Sequence, residues 1–307
     1  MAWAEVSRLP FVWWNTGLSP PARKSAATDE AVGFVASQVR AMREELDFSV
    51  LGLCEISPKD LASIINDVGD PSLTAINATD RRGRLNFDTA ILYDREKLQL
   101  ISSVEFVEGV GKSTLKLGRL VSFAINGSQD IINVVASHWP SRLYLGEFAS
   151  KRREFGTLLR ASLDKRRNGS KRDYIVLMGD YNDDPFSPSL AEHLLATRDR
   201  ELARRNARFF YNPFWRCLGE SLPYQKAGSD ESVCGTHFYP NGEHTEWFTY
   251  DQIIFSSAFL DEAAPIILSE EYTKIINTQI LLKDLRDRRN FCDHFPVLSV
   301  ATMRAQI

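Results

Sequence analysis

The sequence predicts an α+β chain, with strands and helices mixed in a single domain. Three observations carry this. Short apolar, β-branched runs recur along the whole length, and most close on a polar residue. Amphipathic helical stretches separate the first strands. Five further strand-like runs crowd residues 73–137. The 307 residues suffice for one large domain or two medium ones. With no internal repeat and no low-complexity linker, one domain over 1–307 is expected, carrying an aromatic-rich insertion at about 200–249.

The elements follow in order. Phe11-Val12-Trp13-Trp14 reads as the first strand and ends at Asn15. Val32, Val35, Val39, Met42 and Leu46 recur at helical spacing over 28–46, with Thr28 placed to cap them. A buried strand, 48–54, ends at Glu55, and Ser57-Pro58 opens a second helix with a cap followed by proline. Strands are expected near 73–77, 87–93, 98–107, 119–125 and 131–137, with a hairpin turn at Asn126-Gly127-Ser128. The last of these stops at His138. A helix over about 146–166 places Phe148, Phe155, Leu159 and Leu163 on one face. Tyr174-Ile175-Val176-Leu177 is a core strand leading into Met178-Gly179-Asp180-Tyr181-Asn182-Asp183-Asp184-Pro185. Gly179 is read as a sharp turn, and Asp180 and Asn182, two apart on an extended segment, as facing one side. A short helix near 189–195, a strand at 250–255 opening on Asp251, and a last strand at 296–303 preceded by Asp293-His294 complete the chain.

Composition bounds the function. Apolar content of 44% and charged content of 25% are those of an ordinary globular protein. A net charge of -3 excludes polyanion binding by bulk charge, so any nucleic-acid contact needs a local basic patch. No apolar run approaches the roughly 18 residues of a membrane span, and no membrane partner is expected. The first residues lack a basic segment followed by an apolar one, which points to the cytoplasm. Cys54, Cys217, Cys234 and Cys292 are too few and scattered for a disulfide framework, and Cys54 and Cys292 read as small buried residues.

Asn15, Glu55, His138, Asp180, Asn182, Asp251, Asp293 and His294 all flank expected core strands. Each has an ordinary reading alone: a helix cap for Glu55, a turn residue for either histidine, an Asx turn around Asp180, an edge charge for Asp251. Their joint placement at strand ends favours a site. In these motifs, Trp14-Asn15, Leu53-Cys54-Glu55, Ser137-His138-Trp139, Gly179-Asp180-Tyr181-Asn182, Tyr250-Asp251-Gln252-Ile253 and Asp293-His294-Phe295-Pro296, the chain resembles the endonuclease/exonuclease/phosphatase superfamily over roughly residues 10 to 303. The resemblance implies an α/β sandwich of the deoxyribonuclease I type: two packed, mostly antiparallel β-sheets flanked by helices, with the active site at the sheet edges. It also implies that Asp88 supports His138.

The chemistry of phosphoester hydrolysis fits these residue types. Mg²⁺, or Mn²⁺ in its place, takes one or two protein carboxylates and leaves its other positions to water and phosphate. Glu55 suits the main ligand, with Asn15 beside it and Asp293 as a second acidic contact. Asp180 suits the group that orients or deprotonates water, and Asn182 the group that holds the water or phosphate. His294 suits a contact to the scissile phosphate or a base, with Asp251 fixing its tautomer. Arg142, in His138-Trp139-Pro140-Ser141-Arg142, could fork a phosphate, its alternative being a surface ion pair.

The chain departs from two branches of the superfamily. Abasic-site endonucleases carry an acid where Gly17 stands and a tyrosine where His138 stands. Inositol polyphosphate 5-phosphatases carry a Pro-Ala-Trp-Cys-Asp-Arg block where this chain has Glu246-Trp247-Phe248-Thr249-Tyr250-Asp251. The pattern is closer to bacterial nuclease-like members. Lys151-Arg152-Arg153, Lys165-Arg166-Arg167 and Lys171-Arg172 read either as a solvated helix face or as a phosphate-backbone track, Lys151 and Arg152 being the nearest candidates for substrate. The insertion's aromatics read as packing before stacking platforms. Cys217, Cys234, His237 and His244 match no familiar zinc spacing. The sequence reading is a metal-dependent phosphodiesterase acting on nucleic acid. A phosphatase or phosphodiesterase on a small or lipid phosphate, and a non-catalytic binding module, are the alternatives; protein partners are left open.

Overall fold

Side-chain alternation along the strands sets the layers of this protein. The computed structural model describes residues 3–20, 26–79, 81–82, 85–86, 88–110, 113–142, 150–166, 173–221, 232–286 and 291–306. The strands in chain order are β1 (Trp3–Asn15), β2 (Val50–Cys54), β3 (Leu73–Ala78), β4 (Arg81–Arg82), β5 (Leu85–Asn86), β6 (Thr89–Asp94), β7 (Leu98–Val110), β8 (Ser113–Ile125) and β9 (Ile131–His138). They continue as β10 (Tyr174–Asp180), β11 (Ala196–Thr197), β12 (Phe210–Tyr211), β13 (His237–Phe238), β14 (Trp247–Phe248), β15 (Asp251–Ser256), β16 (Ile266–Ile275) and β17 (Val297–Gln306). The helices are α1 (Asp29–Leu46), α2 (Pro58–Val68), α3 (Ser150–Asp164), α4 (Arg200–Arg205) and α5 (Gln279–Arg286).

One sheet runs β16-β17-β1-β2-β6-β3 and the other β11-β12-β15-β10-β9-β8-β7. Pairing is mostly antiparallel; β1 with β2, β9 with β10 and β11 with β12 are parallel. On β1, Phe11 and Trp13 face the opposite sheet, while Val12 and Trp14 face the helices. Val50, Ile91, Val134, Val176, Ile253 and Phe255 complete the layer between the sheets. Leu51 and Leu53 meet Val35 and Val39 of α1 and Ile64 of α2. Ile175, Leu177 and Ile254 meet Phe155 and Leu159 of α3. Three apolar layers therefore hold a helix–sheet–sheet–helix sandwich, each fully buried large side chain contributing about 1.5–3 kcal/mol. This is the predicted two-sheet architecture.

Local chemistry starts the helices where the sequence indicates. The Thr28 side chain accepts from the Ala31 amide, and Ser57 and Asp60 form a capping box with Pro58 in the first turn. Gly179 has a different role from the one expected. It lies inside β10, and a Cβ there would sit 2.3 Å from the Ser137 carbonyl oxygen, so it permits close strand packing. The chain turns instead at Asn182, whose φ is +50°. Asp180 and Asn182 are thus not two positions on one extended segment.

β16 and α5 occupy a stretch, between 256 and 295, where the sequence reading places no element. Residues 196–217 are less an insertion than an edge, with β11 and β12 extending the second sheet onto β15 and Phe210 and Phe214 buried in its core. Phe87, the expected helix start with Phe148, the cations Arg167, Lys171 and Arg172, and Tyr224 lie outside the described residues. Among the described residues no helix is long and apolar enough to cross a membrane.

Candidate active site

Asn15, Cys54, His138 and Asp180 are the last residues of β1, β2, β9 and β10, and Asp251 is the first of β15, which runs the opposite way. All five therefore lie at one edge of the sandwich. Registry fixes them side by side: Asn15 beside Cys54, and Asp180 between His138 and Asp251. Each is an even number of residues from a side chain in the layer between the sheets, such as Trp13, Val50, Ala136, Met178 or Ile253. The alternation that packs the core thus turns these side chains into the cleft between the sheets.

Two imidazole–carboxylate pairs stand there. His138 Nδ1 lies 2.7 Å from Asp88 Oδ2, and the other Asp88 oxygen accepts from Lys116 Nζ at 2.6 Å. His294 Nδ1 lies 2.6 Å from Asp251 Oδ2. Asp251 is itself fully enclosed and accepts from the Trp13 indole at 3.1 Å and the Thr236 hydroxyl at 2.9 Å. The carboxylate fixes Nδ1–H as donor in each pair, which leaves Nε2 to face the cleft. His138 Nε2 is 3.8 Å from Glu55 Oε1, and His294 Nε2 is 3.9 Å from Asp180 Oδ2.

Burial alone would lower both histidines. The Asp88 charge and hydrogen bond outweigh it and raise His138 to about 9, and Asp251 raises His294 well above its ordinary value. Asp88 is buried, which would raise it, yet His138 and Lys116 hold it well below the usual carboxylate range.

Asp180 is held at both oxygens: Asn15 Nδ2 donates to Oδ2 at 2.9 Å and the Asn182 amide to Oδ1 at 2.8 Å. The Asn182 side-chain amide donates to the Trp139 carbonyl at 2.9 Å, leaving its own Oδ1 for a water or phosphate contact. Glu55 follows the last residue of β2 in a left-handed conformation with φ +53°. Its carbonyl accepts from the Ser19 amide at 2.6 Å and the Thr16 hydroxyl at 3.2 Å. Its carboxylate accepts no hydrogen bond from the described residues. Burial pushes it up to about 7, against the pull of His138 and His294. A hard oxygen donor that accepts no hydrogen bond among the described residues suits a divalent cation.

The tighter donor groups are Cys54/His138/Asp180, Asp180/Asp251/His294 and His237/Asp293/His294, none of them centred on Glu55. The Cys54 thiol is raised well above its ordinary value by burial and by Asp180, which disfavours a thiolate ligand. Glu55 with Asn15 matches an ion that keeps most of its waters better than a compact chelate does. Asp293, exposed, is the further acidic group near Glu55.

The structure thus brings together Asn15, Glu55, Asp88, His138, Asp180, Asn182, Asp251, Asp293 and His294. Of the three cations expected to meet substrate, it turns two, Arg152 and Arg142, to internal partners. Arg152 is buried: its guanidinium bonds Asp183 at 2.9 Å and the carbonyls of Pro140, Tyr181 and Asn182, so it fastens the loop after β10 from behind. Arg142 bonds the Asn182 carbonyl and Asp184, each at 3.1 Å, and lies over the Tyr250 ring, so its fork is used internally. Lys151 is exposed at the start of α3.

Cys217, Cys234, His237 and His244 form no donor group among the described residues. His237 joins the cleft instead, with its ring centroid 4.2 Å from that of His294. Lys116, Trp13, Thr236 and His237 are contributors that sequence reasoning missed. Only Trp13 carried a signal, its place two residues before Asn15 on the same strand face.

Comparison with known proteins agrees with this fold. The model of the endonuclease/exonuclease/phosphatase family matches residues 29–291. An endonuclease/exonuclease/phosphatase family protein from Bacteroides thetaiotaomicron is 15% identical with a TM-score of 0.61, covering 98% of this chain and 97% of that one. TDP2 of D. rerio, complexed with single strand DNA product, is 14% identical with a TM-score of 0.61, covering 96% and 99%. A mannosyl-6-phosphatase of Bacteroides thetaiotaomicron is 17% identical with a TM-score of 0.58, covering 97% and 100%. No curated protein matches. At these identities the structural likenesses speak for the fold.

Proposed function

Because the chain belongs to the endonuclease/exonuclease/phosphatase family, we propose that it is a metal-dependent phosphodiesterase, a cytoplasmic nuclease acting on DNA or RNA. The observation that carries this reading is the pair of carboxylate-fixed imidazoles, whose free Nε2 atoms lie 3.8 Å from Glu55 and 3.9 Å from Asp180. Glu55 and Asn15, with Asp293 as a further acidic contact, would hold Mg²⁺ or Mn²⁺. That ion supplies charge stabilisation for the phosphoryl oxygens when bound.

The chain's own residues do the rest. Asp180, fixed by Asn15 and the Asn182 amide, orients the attacking water and takes its proton. The Asn182 side-chain oxygen accepts from the same water. His138 and His294 donate from Nε2 to phosphoryl oxygens, and one of these imidazoliums gives its proton to the leaving oxygen as the bond from that oxygen to phosphorus breaks; their raised pKa values keep both charged at neutral pH. Exposed Lys151 and Arg153 on α3, with Lys165 and Arg166 at its end, support a polynucleotide substrate.

A second reading, a small or lipid phosphoester, has one specific observation in its favour. His237 packs directly on His294 and so narrows the cleft on that side. The test is a panel of labelled single- and double-stranded DNA and RNA plus small phosphoesters, each with Mg²⁺, Mn²⁺ or chelator. Hydrolysis of polynucleotides, abolished by chelator, is expected. Turnover of small monoesters alone would move the assignment to the second reading, and undiminished turnover in chelator would remove the metal.

A further inference from the structure

We infer that His237 is a positioning residue for His294, and that the dipeptide Thr236-His237 fastens both members of the His294–Asp251 pair. This rests on the reading of His294 as a phosphate contact. A hydrogen bond at Nδ1 fixes one edge of an imidazole but leaves the ring able to rock about that edge. The His237 ring lies on the face of His294, with centroids 4.2 Å apart and planes 32° apart, and blocks that motion.

His237 is held on its own account. Its Nδ1 is 3.2 Å from the Asp293 carbonyl oxygen, to which it donates, and its ring stacks on Tyr250 at 5.4 Å and 20°. The backbone is fixed as well. Residues 237 and 294 form a β-bridge, the Phe238 amide donates to the Asp293 carbonyl at 3.0 Å, and the Phe295 amide donates to the Thr236 carbonyl at 2.7 Å. One residue earlier, the Thr236 hydroxyl donates to Asp251 Oδ2 at 2.9 Å and accepts from the Asp251 amide at 3.0 Å. Acid and ring are therefore steadied from one short segment.

A metal chelate of His237, Asp293 and His294 is the competing explanation, since one donor atom from each lies within 4.8 Å of the others. It fits the ring geometry poorly. The rings lie face over face, both Nδ1 atoms already have partners, and His294 Nε2 lies 3.9 Å from Asp180 Oδ2, turned to the cleft.

The test uses the full chain. Proton NMR without metal follows the low-field Nδ1–H of His294, assigned by its loss in Asp251→Asn, and steady-state kinetics on the best phosphodiester run alongside. In His237→Ala, the proton should exchange at least about tenfold faster and kcat should fall on the order of ten- to hundredfold, with KM within about twofold. His237→Phe, which keeps a ring face, should restore both to within about threefold of the unsubstituted chain. If His237→Ala does not fold, His237→Leu against His237→Phe makes the same comparison of filled space with and without a ring. Unchanged exchange and kcat in His237→Ala, or equal losses in the Phe and Ala variants, would overturn the inference. Should the unsubstituted chain hydrolyse nothing in the panel, the functional reading falls, while the exchange rates still decide the ring contact.

Discussion

Asp88→Asn should remove a pH-dependent part of the stability of this protein. His138 stands at about 9 in the folded chain against an ordinary 6.5. The gap of about 2.5 pH units corresponds to roughly 3 kcal/mol at 1.36 kcal/mol per unit. Because the folded value is raised, this stability is present in full below the unfolded value of 6.5 and is lost as pH climbs through about 9. Asp88 reports the same ion pair from its other side, so the two contributions do not add. Its folded value is depressed, and its share is present above the ordinary 3.8 and lost only as pH falls through a native value well below that.

Removing the Asp88 charge also takes one carboxylate from Lys116, now 2.6 Å from Asp88. The stability difference between the unsubstituted chain and Asp88→Asn should therefore shrink by roughly 3 kcal/mol from pH 6 to pH 10. The assay is urea unfolding at pH 6, 8 and 10 in chelator, with unfolding slopes compared and the His138 ring titrated by NMR. A difference that stays constant across this range, or a His138 that titrates near 6.5 in the unsubstituted chain, would refute the reasoning.

Four further outcomes are expected. Glu55→Gln should cut Mg²⁺-dependent turnover on the order of a hundredfold or more and, without metal at pH 8, should raise the unfolding midpoint, because burial holds the Glu55 carboxyl up at about 7 and its charge opposes folding above that; metal titration and urea unfolding check the two outcomes. Asp251→Asn should cost about a hundred- to ten-thousandfold in kcat, and adding it to His294→Ala should cost little more than His294→Ala alone; a double-mutant cycle in which the effects multiply would separate the pair. Arg152→Ala takes the nearer of two cations from buried Asp183, leaving Arg142 at 3.4 Å, and should destabilise by about 3 kcal/mol, the low end for a broken buried pair, in denaturant unfolding. Reversing exposed Lys151 and Arg153 to Glu should lower the slope of log affinity for polynucleotide against log salt by roughly 0.7–0.9 for each phosphate no longer neutralised, while sparing a small phosphodiester.

How much of this was legible in the sequence depends on whether a contact is made by a strand or across strands. Asn15, Glu55, His138, Asp180, Asp251 and His294 could be found because each closes or opens an apolar run, and a run's end is a local property. Arg152 was misread although the signal was present. With Phe155, Gly156, Leu159 and Leu163 it falls on the buried stripe of α3, but Lys151 and Arg153 on either side made the triplet look like a solvated patch. Lys116 was missed because β8 begins at Ser113, six residues before the strand that the alternation indicated. Thr236 and His237 belong to a segment whose only strand is two residues long, which gives no period, and their partners lie 15 and 56 residues away. The missed β16 is an edge strand, and edge strands hold charged and polar residues that blur alternation.

Strand parity explains why most of the site is rigid and why two of its residues are strained. Asn15 continues the row of Phe11 and Trp13, His138 that of Val134 and Ala136, and Asp180 that of Val176 and Met178, so the inter-sheet core aims all three. Glu55 and Asn182 come after their strands have ended. By parity Glu55 would follow Leu51 and Leu53 toward the helices. A left-handed residue reverses that direction, and Glu55 and Asn182 are two of the four non-glycine residues with positive φ among the described residues. Such a conformation costs on the order of 1–3 kcal/mol and persists only where its surroundings fix it. At Glu55 the fixing comes from Ser19 and Thr16 on its carbonyl, and at Asn182 from Arg142 and Arg152 on its carbonyl. The two arginines therefore act on the cleft by holding the backbone turn that keeps Asn182 beside Asp180.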